Sequence, residues 1–454
     1  MSLFGMLGMT ARALDAQRYG LDVTGNNLAN VNTPGYSRRV ADFGAVPPTD
    51  RFSAGGGVEV LGVRALRDKL YDQRLFDELP LEQQQAAMAD ALGLAEVALG
   101  QPGHSIDAAL SNFFDAFAQL ADAPQSTTAR QQVLTQGQAL AGAFNGMASR
   151  LDDASRATDA RVRDDIRSIN ELTARIASLN KSIASADISQ SLHLRDEQTE
   201  AVKALAGIIG TQVLHLGDGT VQVSTRNGRP LVIGADAYAI SAQNTPPSGH
   251  ARIVTNGVDI TGEISDGHLA GLLRTRDAQI PRYLTQLDAL AHDVAAQVNG
   301  VHASGYDLAG NPGATFFAPL GATAGAAAAL GMNAAVAGNP ALVAAAGIPV
   351  SGDNQVARSL ANLRDAGIVG GVKPEAAWAS LVYAVGSDVS GARAEQASRG
   401  EIIAQIEQLR DSVSGVSIDE EAAMMMRFQR AYEANARFFT VVDETLQTLL
   451  SLKR

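Results

Sequence analysis

The chain has 454 residues, a formal net charge of −12, ordinary apolar content, few aromatic side chains and no cysteine. The length allows two to four domains. The missing thiols exclude a disulfide framework and a thiolate zinc site, and the lack of a basic cluster leaves nothing to track a phosphate backbone, so no nucleic-acid partner is expected. No apolar run reaches the length of a membrane span. Met1 to Leu28 is amphipathic rather than a basic-then-apolar leader. The expectation is a protein without membrane insertion that stays in the cytoplasm or leaves by a route needing no cleaved signal.

Residues 3 to 31 are predicted as one helix. Leu7, Leu14, Leu21 and Leu28 recur every seven residues, while the positions three further on are Thr10, Gln17, Thr24 and Val31. This thin apolar file makes a helix that depends on packing for its stability. It stops near Asn32, because Pro34 biases Thr33 away from the helical region and Gly35 follows. The stop reads Asn26-Asn27-Leu28-Ala29-Asn30-Val31-Asn32-Thr33-Pro34-Gly35-Tyr36-Ser37-Arg38. From Arg39 to Val63 the chain is turn-rich, with a short strand at Val58, Val60 and Val63. A helical stretch then runs from about Leu66 to Leu99, which Pro80 is expected to kink or break.

Ser105 is predicted to cap a core helix with Ile106, Leu110, Phe113, Phe114, Phe117 and Leu120 on one face, ended by Pro124. A long helix follows from about Thr128 to Ile183, with a seam at Val162, Ile166, Ile169, Leu172, Ile176, Leu179 and Ile183. It would span roughly 80 Å and implies an elongated body. A shorter helix covers Asp196 to Ile209. The period then changes from helix to strand at Val221, Val223 and Thr225, then Leu231 and Ile233. Gly217-Asp218-Gly219 and Asn227-Gly228 supply hairpin turns. Further strands are predicted at Ala237 to Ser241, Ala251 to Thr255 and Val258 to Thr261. This β-rich insertion is expected to project as a surface knob.

Helix returns from Gly267 to Val301. His302 to Asp353 is rich in Gly, Ala and Pro, with a tight turn at Asp307 to Gly313 and an aromatic pair, Phe316 and Phe317. A helix pair, Trp378 to Ser390 and Glu395 to Ser412, leads into the last helix, Ser417 to Leu452. There Met425, Phe428, Tyr432, Asn435, Phe439, Val442, Leu446 and Leu449 are separated by alternating steps of three and four, the seam of a coiled coil. Asn435 is its polar member. Ser417 with Glu420 reads as a capping box. Asp419, Glu420 and Glu421 suit the positive end of the helix dipole, and Lys453 and Arg454 the negative end.

The chemistry-bearing motifs are sparse. No pair of histidines has ligand spacing, and His292 and His302 read as ordinary core or surface residues. There is no Walker loop, and Gly55 to Gly57 precede a strand rather than a helix. Asp307-Leu308-Ala309-Gly310-Asn311-Pro312-Gly313 has oxygen donors but lacks the later bidentate Glu of a calcium loop, so a turn is favoured. No catalytic residue, cofactor site or metal site is assigned.

Both termini carry a resemblance. The first helix stop resembles the N-terminal signature of bacterial flagellar rod, hook and hook-associated proteins, and its Thr33-Pro34-Gly35-Tyr36-Ser37-Arg38 ending is most similar to junction members of that family. Ser412 to Ala423, Phe428 to Tyr432 and Ala434 to Arg437 are similar to the family's other end. The resemblance implies a mainly α, elongated, multi-domain fold. Residues 1–35 with 417–454 would form a terminal coiled coil, 36–209 with 264–416 a helical rod-like body, and 210–263 an inserted β-rich domain. It also implies an extracellular junction ring between hook and filament, exported without cleavage. The implied partners are further copies of the chain in a helical ring, the hook protein, a second junction protein with the filament, and an export chaperone on the C-terminal helix. Asn27, Asn30, Asn32, Thr33, Pro34, Gly35 and Tyr36, with Asp419, Glu420, Glu421 and the seam residues, would carry structural roles.

The physical expectation is that two seamed helices alone bury too little to offset the backbone entropy of ordering them. The ends would then stay loose in the monomer and order on assembly. The other readings are a hook or rod subunit and, more remotely, an enzyme on a flagellar scaffold.

Overall fold

The computed structural model describes residues 3–33, 35–48, 55–99, 106–246 and 249–451. The chain opens with α1 (Leu3–Ala29), a hairpin of β1 (Arg39–Val46) and β2 (Gly57–Ala65), and four helices, α2 (Lys69–Leu99), α3 (Ile106–Asp122), α4 (Thr127–Ser185) and α5 (Ile188–Ile208). Two antiparallel sheets follow. One is β3 (Thr211–His215), β4 (Val221–Thr225), β5 (Pro230–Ile233) and β6 (Asp236–Ala237); the other is β7 (Ser241–Thr245), β8 (His250–Thr255) and β9 (Val258–Asp259). Next, α6 (His268–Arg274) passes through a π-helical turn, Thr275–Gln279, into α7 (Ile280–Ala303). A loop region with the short helices α8 (Ala326–Ala329), α9 (Ala334–Ala337) and α10 (Gln355–Asn362) leads to α11 (Pro374–Ser414) and α12 (Ile418–Ser451). The chain is therefore mainly α with small sheets. Ser105 and the terminal Leu452, Lys453 and Arg454 lie outside the described residues.

The spine is α4. Ser126 has extended backbone, and its hydroxyl accepts the Ala129 N–H at 3.2 Å, satisfying a donor the first turn leaves free. The helix has 59 residues and so runs roughly 90 Å. Two separate apolar cores are threaded on it. The first gathers the N-terminal half of α4, the end of α2, α3, α7, the loop region, α10 and the start of α11. Its centre is aromatic, with Phe113, Phe117, Phe316 and Phe317 in edge-on or tilted contacts at 5.0–5.7 Å between centroids. The second gathers Val162, Ile166, Ile169 and Ile176 of α4 with α5, α6 and both sheets.

That second core corrects the expectation of a projecting knob. Val221, Val223, Leu231, Ile240 and Ile253 share one core with the helices. Two asparagines of α4 also clamp the strands. Asn170 donates to the Ile240 carbonyl at 2.8 Å and accepts its N–H at 2.9 Å. Asn180 does the same for Val221 at 2.8 and 3.0 Å. The insertion lies along the spine because its apolar face has no other partner.

Two expected helix breaks are absent. Pro80 sits inside a continuous α2. The missing N–H costs about 3 kcal/mol in an isolated helix, but here α2 lies against α11, and the Pro80 carbonyl accepts the Gly267 N–H at 3.1 Å. Likewise α11 is one helix of 41 residues rather than a pair. Gly391 weakens it by roughly 1 kcal/mol, and its buried neighbours Val389 and Ala392 hold the turn in place. Arg399 reaches Glu78 at 3.0 Å and Gln396 reaches Glu82 at 3.2 Å, so α2 and α11 run antiparallel. The sequence reading also missed β1, and it started α5 too late.

His302 shows how the loop region is tied down. Its ring is fully buried. Nδ1 lies 2.6 Å from the Ala314 carbonyl and Nε2 accepts the Ala344 N–H at 2.9 Å, which defines the Nδ1–H neutral tautomer. Burial drives its pKa down to about 4. The fold therefore stabilises neutral His302. That stability is full above the unfolded-state value near 6.5 and is lost as pH falls toward 4. Its whole extent is roughly 3 kcal/mol, of which about 2 should be gone by pH 5. Urea unfolding at pH 7 and pH 5 should show this loss in the wild type and a smaller pH difference in His302→Gln.

Candidate assembly site

The end of α1 is built by its asparagines. The N–H of Asn30 accepts its partner from the Asn26 carbonyl at 3.1 Å, and the Asn30 side chain donates to the same carbonyl at 2.9 Å. Thr33 Oγ1 donates to Asn30 Oδ1 at 3.1 Å. Asn32 is exposed, and Pro34 lies outside the described residues. Gly35 has φ of +76°, and a Cβ there would meet Glu200 of α5 at 2.5 Å. Only glycine fits both the conformation and the approach.

Asn27 is the hub. It is 1% exposed. Its Oδ1 accepts the Arg39 N–H at 2.9 Å and the Tyr36 hydroxyl at 2.8 Å. Its Nδ2 donates to the Arg39 carbonyl at 2.8 Å and to Glu421 Oε2 at 3.0 Å. Burial, with Asp196 and Glu421 adding to it against Arg39, pushes the Tyr36 hydroxyl up to about 12. Tyr36 is therefore a permanent donor at neutral pH. The Arg39 guanidinium lies over its ring at 5.0 Å.

Glu421 completes the hub from the other end of the chain. Its side chain is 3% exposed, and Arg38 Nε donates to it at 2.7 Å. Arg38 also reaches Glu420 at 2.7 Å. This corrects the capping-box expectation. Ser417 Oγ does face the Glu420 N–H, at a long 3.5 Å, but the Glu420 carboxylate is drawn to Arg38, because an ion pair outweighs a reciprocal cap on an exposed turn. Arg39 binds Asp196 of α5 at 3.1 Å. Arg67 joins Asp196 to Ser37 and Thr199. A continuous polar chain thus links α12, the end of α1, the hairpin and α5. Glu421, Arg38, Arg39, Arg67 and Asp196 were not singled out as hub residues by sequence reasoning. A signal existed for Glu421: it stands one seam step, four residues, before Met425.

Beyond the hub, α1 and α12 pack against each other. Asn27 meets Glu421, and seven residues earlier Gly20 lies against the ring of Phe428, seven later. The helices are therefore antiparallel. A Cβ on Gly20 would fall 2.7 Å from that ring. Phe43 of the hairpin packs on the far side of Phe428, edge-on at 6.2 Å.

The seam residues divide unevenly. Phe428 and Val442 are buried; Met425, Asn435, Phe439 and Leu446 are half-buried; Tyr432 and Leu449 are exposed. On α1 the leucine file is displaced. Leu7, Leu14, Leu21 and Leu28 are each half-buried, and the buried face is Thr10, Ala16, Gly20, Thr24 and Asn27. Small residues win that face because they let a phenylalanine approach the backbone.

Comparison with known proteins agrees with this geometry. The family model described as the helical domain of flagellar hook-associated protein FlgK matches residues 93–317. Models of the flagellar basal-body rod proteins match the two ends, residues 9–36 and, for the FlgEFG C-terminal region, 408–452. The flagellar hook-associated protein 1 of Bacillus subtilis is 26% identical over 501 residues, covering 99% of this chain and 98% of that protein. Its counterpart in Escherichia coli is 24% identical, covering 97% and 98%. The chain belongs to the flagellar hook-associated protein family. The solved structure of the flagellar hook junction protein FlgK from Burkholderia pseudomallei shares the fold, with a TM-score of 0.64, 18% identity, and coverage of 75% of this chain and all of that one.

For a hook-associated protein, the groups that could have suggested chemistry have structural uses. Asp307 Oδ1 accepts the N–H groups of Ala309 and Asn311 at 2.8 Å each, so the would-be calcium loop is a self-satisfied turn. Among the described residues no three or more His, Asp or Glu gather as a metal site. Nor is any described helix long and apolar enough to cross a membrane.

Removing one partner of a buried charge costs about 3–5 kcal/mol. Glu421→Ala should therefore raise amide exchange in α1 and α12 by more than tenfold while exchange in the aromatic core is unchanged. Gly20→Val should do the same by forcing Phe428 out. Hydrogen exchange read by mass spectrometry checks both.

Proposed function

We propose that this hook-associated protein is a structural element of the flagellar axis that joins hook to filament, and that it assembles through its terminal helices. The observation that carries this is the antiparallel pair of α1 and α12, tied to the body by the Asn27–Glu421–Arg38 hub yet bearing large exposed apolar residues. Phe4 is 75% exposed, Met426 53%, Val441 57% and Leu450 62%. Such a surface suits an interface. In this reading residues 1–35 with 417–454 form an inner tube element, 36–209 with 264–416 the body around it, and 210–263 its outer, strand-bearing part. The contacts between copies are head-to-tail, as an open or ring-closing array requires.

The same exposed apolar residues support a further part of the proposal. Before assembly, α12 is held by a soluble export chaperone that covers them, and the full order of both ends is reached when neighbouring copies replace that cover. Hook protein on one side, and a second junction protein with the filament on the other, are the proposed partners. The role is mechanical, and no catalytic step is assigned.

Deletion of residues 420–454 tests the reading. The truncated chain should keep the cooperative unfolding of the body, and cells carrying it as their only copy should make hooks without attached filaments. Normal filaments on such cells would refute the proposal.

A further inference from the structure

The inference below rests on the reading of the chain as a self-assembling axial subunit and says how neighbouring copies register. Each helix of the terminal pair has an outward edge opposite the face it buries. On α12 the edge holds Met426, Arg430, Arg437 and Val441, and on α1 it holds Ala11, Asp15 and Asp22. All seven are exposed. At 3.6 residues per turn each set forms one stripe, because its members fall within about 60° of one another around the helix.

The stripes match. Arg430 and Arg437 are seven residues apart, as are Asp15 and Asp22. Among the described residues, Arg430, Arg437 and Asp22 have no ion pair or side-chain hydrogen bond. Asp15 has only a loose contact with Arg18, at 3.6 Å with both side chains 70% exposed. Set antiparallel, the α12 edge of one copy places Arg430 on Asp22, Arg437 on Asp15 and the exposed Val441 on Ala11 of the next, all in one register. Heptad-spaced opposite charges beside an apolar contact are what fixes register between helices. The charge complement is notable in a chain of net charge −12, whose copies would otherwise repel.

We infer that a second copy of this chain docks here: Arg430 and Arg437 on α12 pair with Asp22 and Asp15 on α1 of the neighbour. The two edges lie on opposite sides of the helix pair, so the contact repeats head-to-tail without using either surface twice. Within one chain residue 22 is level with residue 426, by the register of Asn27 with Glu421. Between copies it is level with residue 430, so neighbours are offset by four residues, about 6 Å along the axis.

The chain has no cysteine, which makes cross-linking clean. Two full-length single-cysteine chains, Asp22→Cys and Arg430→Cys, are co-expressed in cells lacking the native copy, and isolated hook–filament structures are oxidised. A dimer should form between them, and between Asp15→Cys and Arg437→Cys, but not between Asp15→Cys and Arg430→Cys. In parallel, R430E/R437E should lower the fraction of filament-bearing cells about tenfold, and adding D15R/D22R should restore it to within about threefold. Incorporated chains that do not cross-link at 22/430, a dimer at 15/430 instead, or a charge reversal without effect would overturn the register. Absence of the unaltered chain from isolated hook–filament structures would instead overturn the assembly reading beneath it.

Discussion

A single buried carboxylate organises the relation between the ends of this chain and its middle. Glu421 is removed from water near the start of α12, and its two oxygens are matched by Arg38 and Asn27. A charge in that position is tolerated only while both partners are in place. Both partners sit beside the stop of α1, so the ends must meet there and in one register. From Arg38 the adjoining Arg39 turns the other way, onto Asp196, which Arg67 also binds. The orientation of the terminal helices is thereby passed to α5 through ion pairs with fixed geometry, rather than through an apolar contact that could slide.

The body is arranged to receive that connection. One helix, α4, carries two cores, and the stretch between them is polar although buried: Ser155, Thr158 and Asp159. Asp159 accepts the Ala251 N–H and binds Arg276, whose guanidinium also donates to the Ala251 carbonyl. Arg276 stands in the π-helical turn between α6 and α7. The extra residue in that turn lets one helical segment leave the second core and enter the first. A rod made this way keeps its length while its outer strands remain clasped along it by Asn170 and Asn180.

The periodic features were legible before the structure. The long seam of α4, the core face of α3, the shift to strands after residue 210 and the seam of α12 each repeat a local spacing, and local spacing is what a sequence displays. The stop of α1 was legible for the same reason, since Pro34, Gly35 and the asparagines act on their own neighbours. What misled was local signal without tertiary weight. Pro80 and Gly391 mark breaks in an isolated helix, but α2 and α11 support each other through both positions. Leu7, Leu14, Leu21 and Leu28 look like the buried file, but the face that α12 needs is the small one at Gly20, where Phe428 enters.

By itself the sequence determined the mainly helical class, the length of the spine, the paired character of the ends and their likeness to flagellar hook-associated proteins. Only the tertiary structure decided that Glu421 is a buried partner of Asn27 and Arg38, that the strands lie in a shared core, and which edges of α1 and α12 remain open. The reason is distance along the chain. Asn27 and Glu421 are 394 residues apart, and no spacing rule spans such a gap. Pairs of that kind are chosen by which burial leaves no charge unmatched, a property of the whole fold.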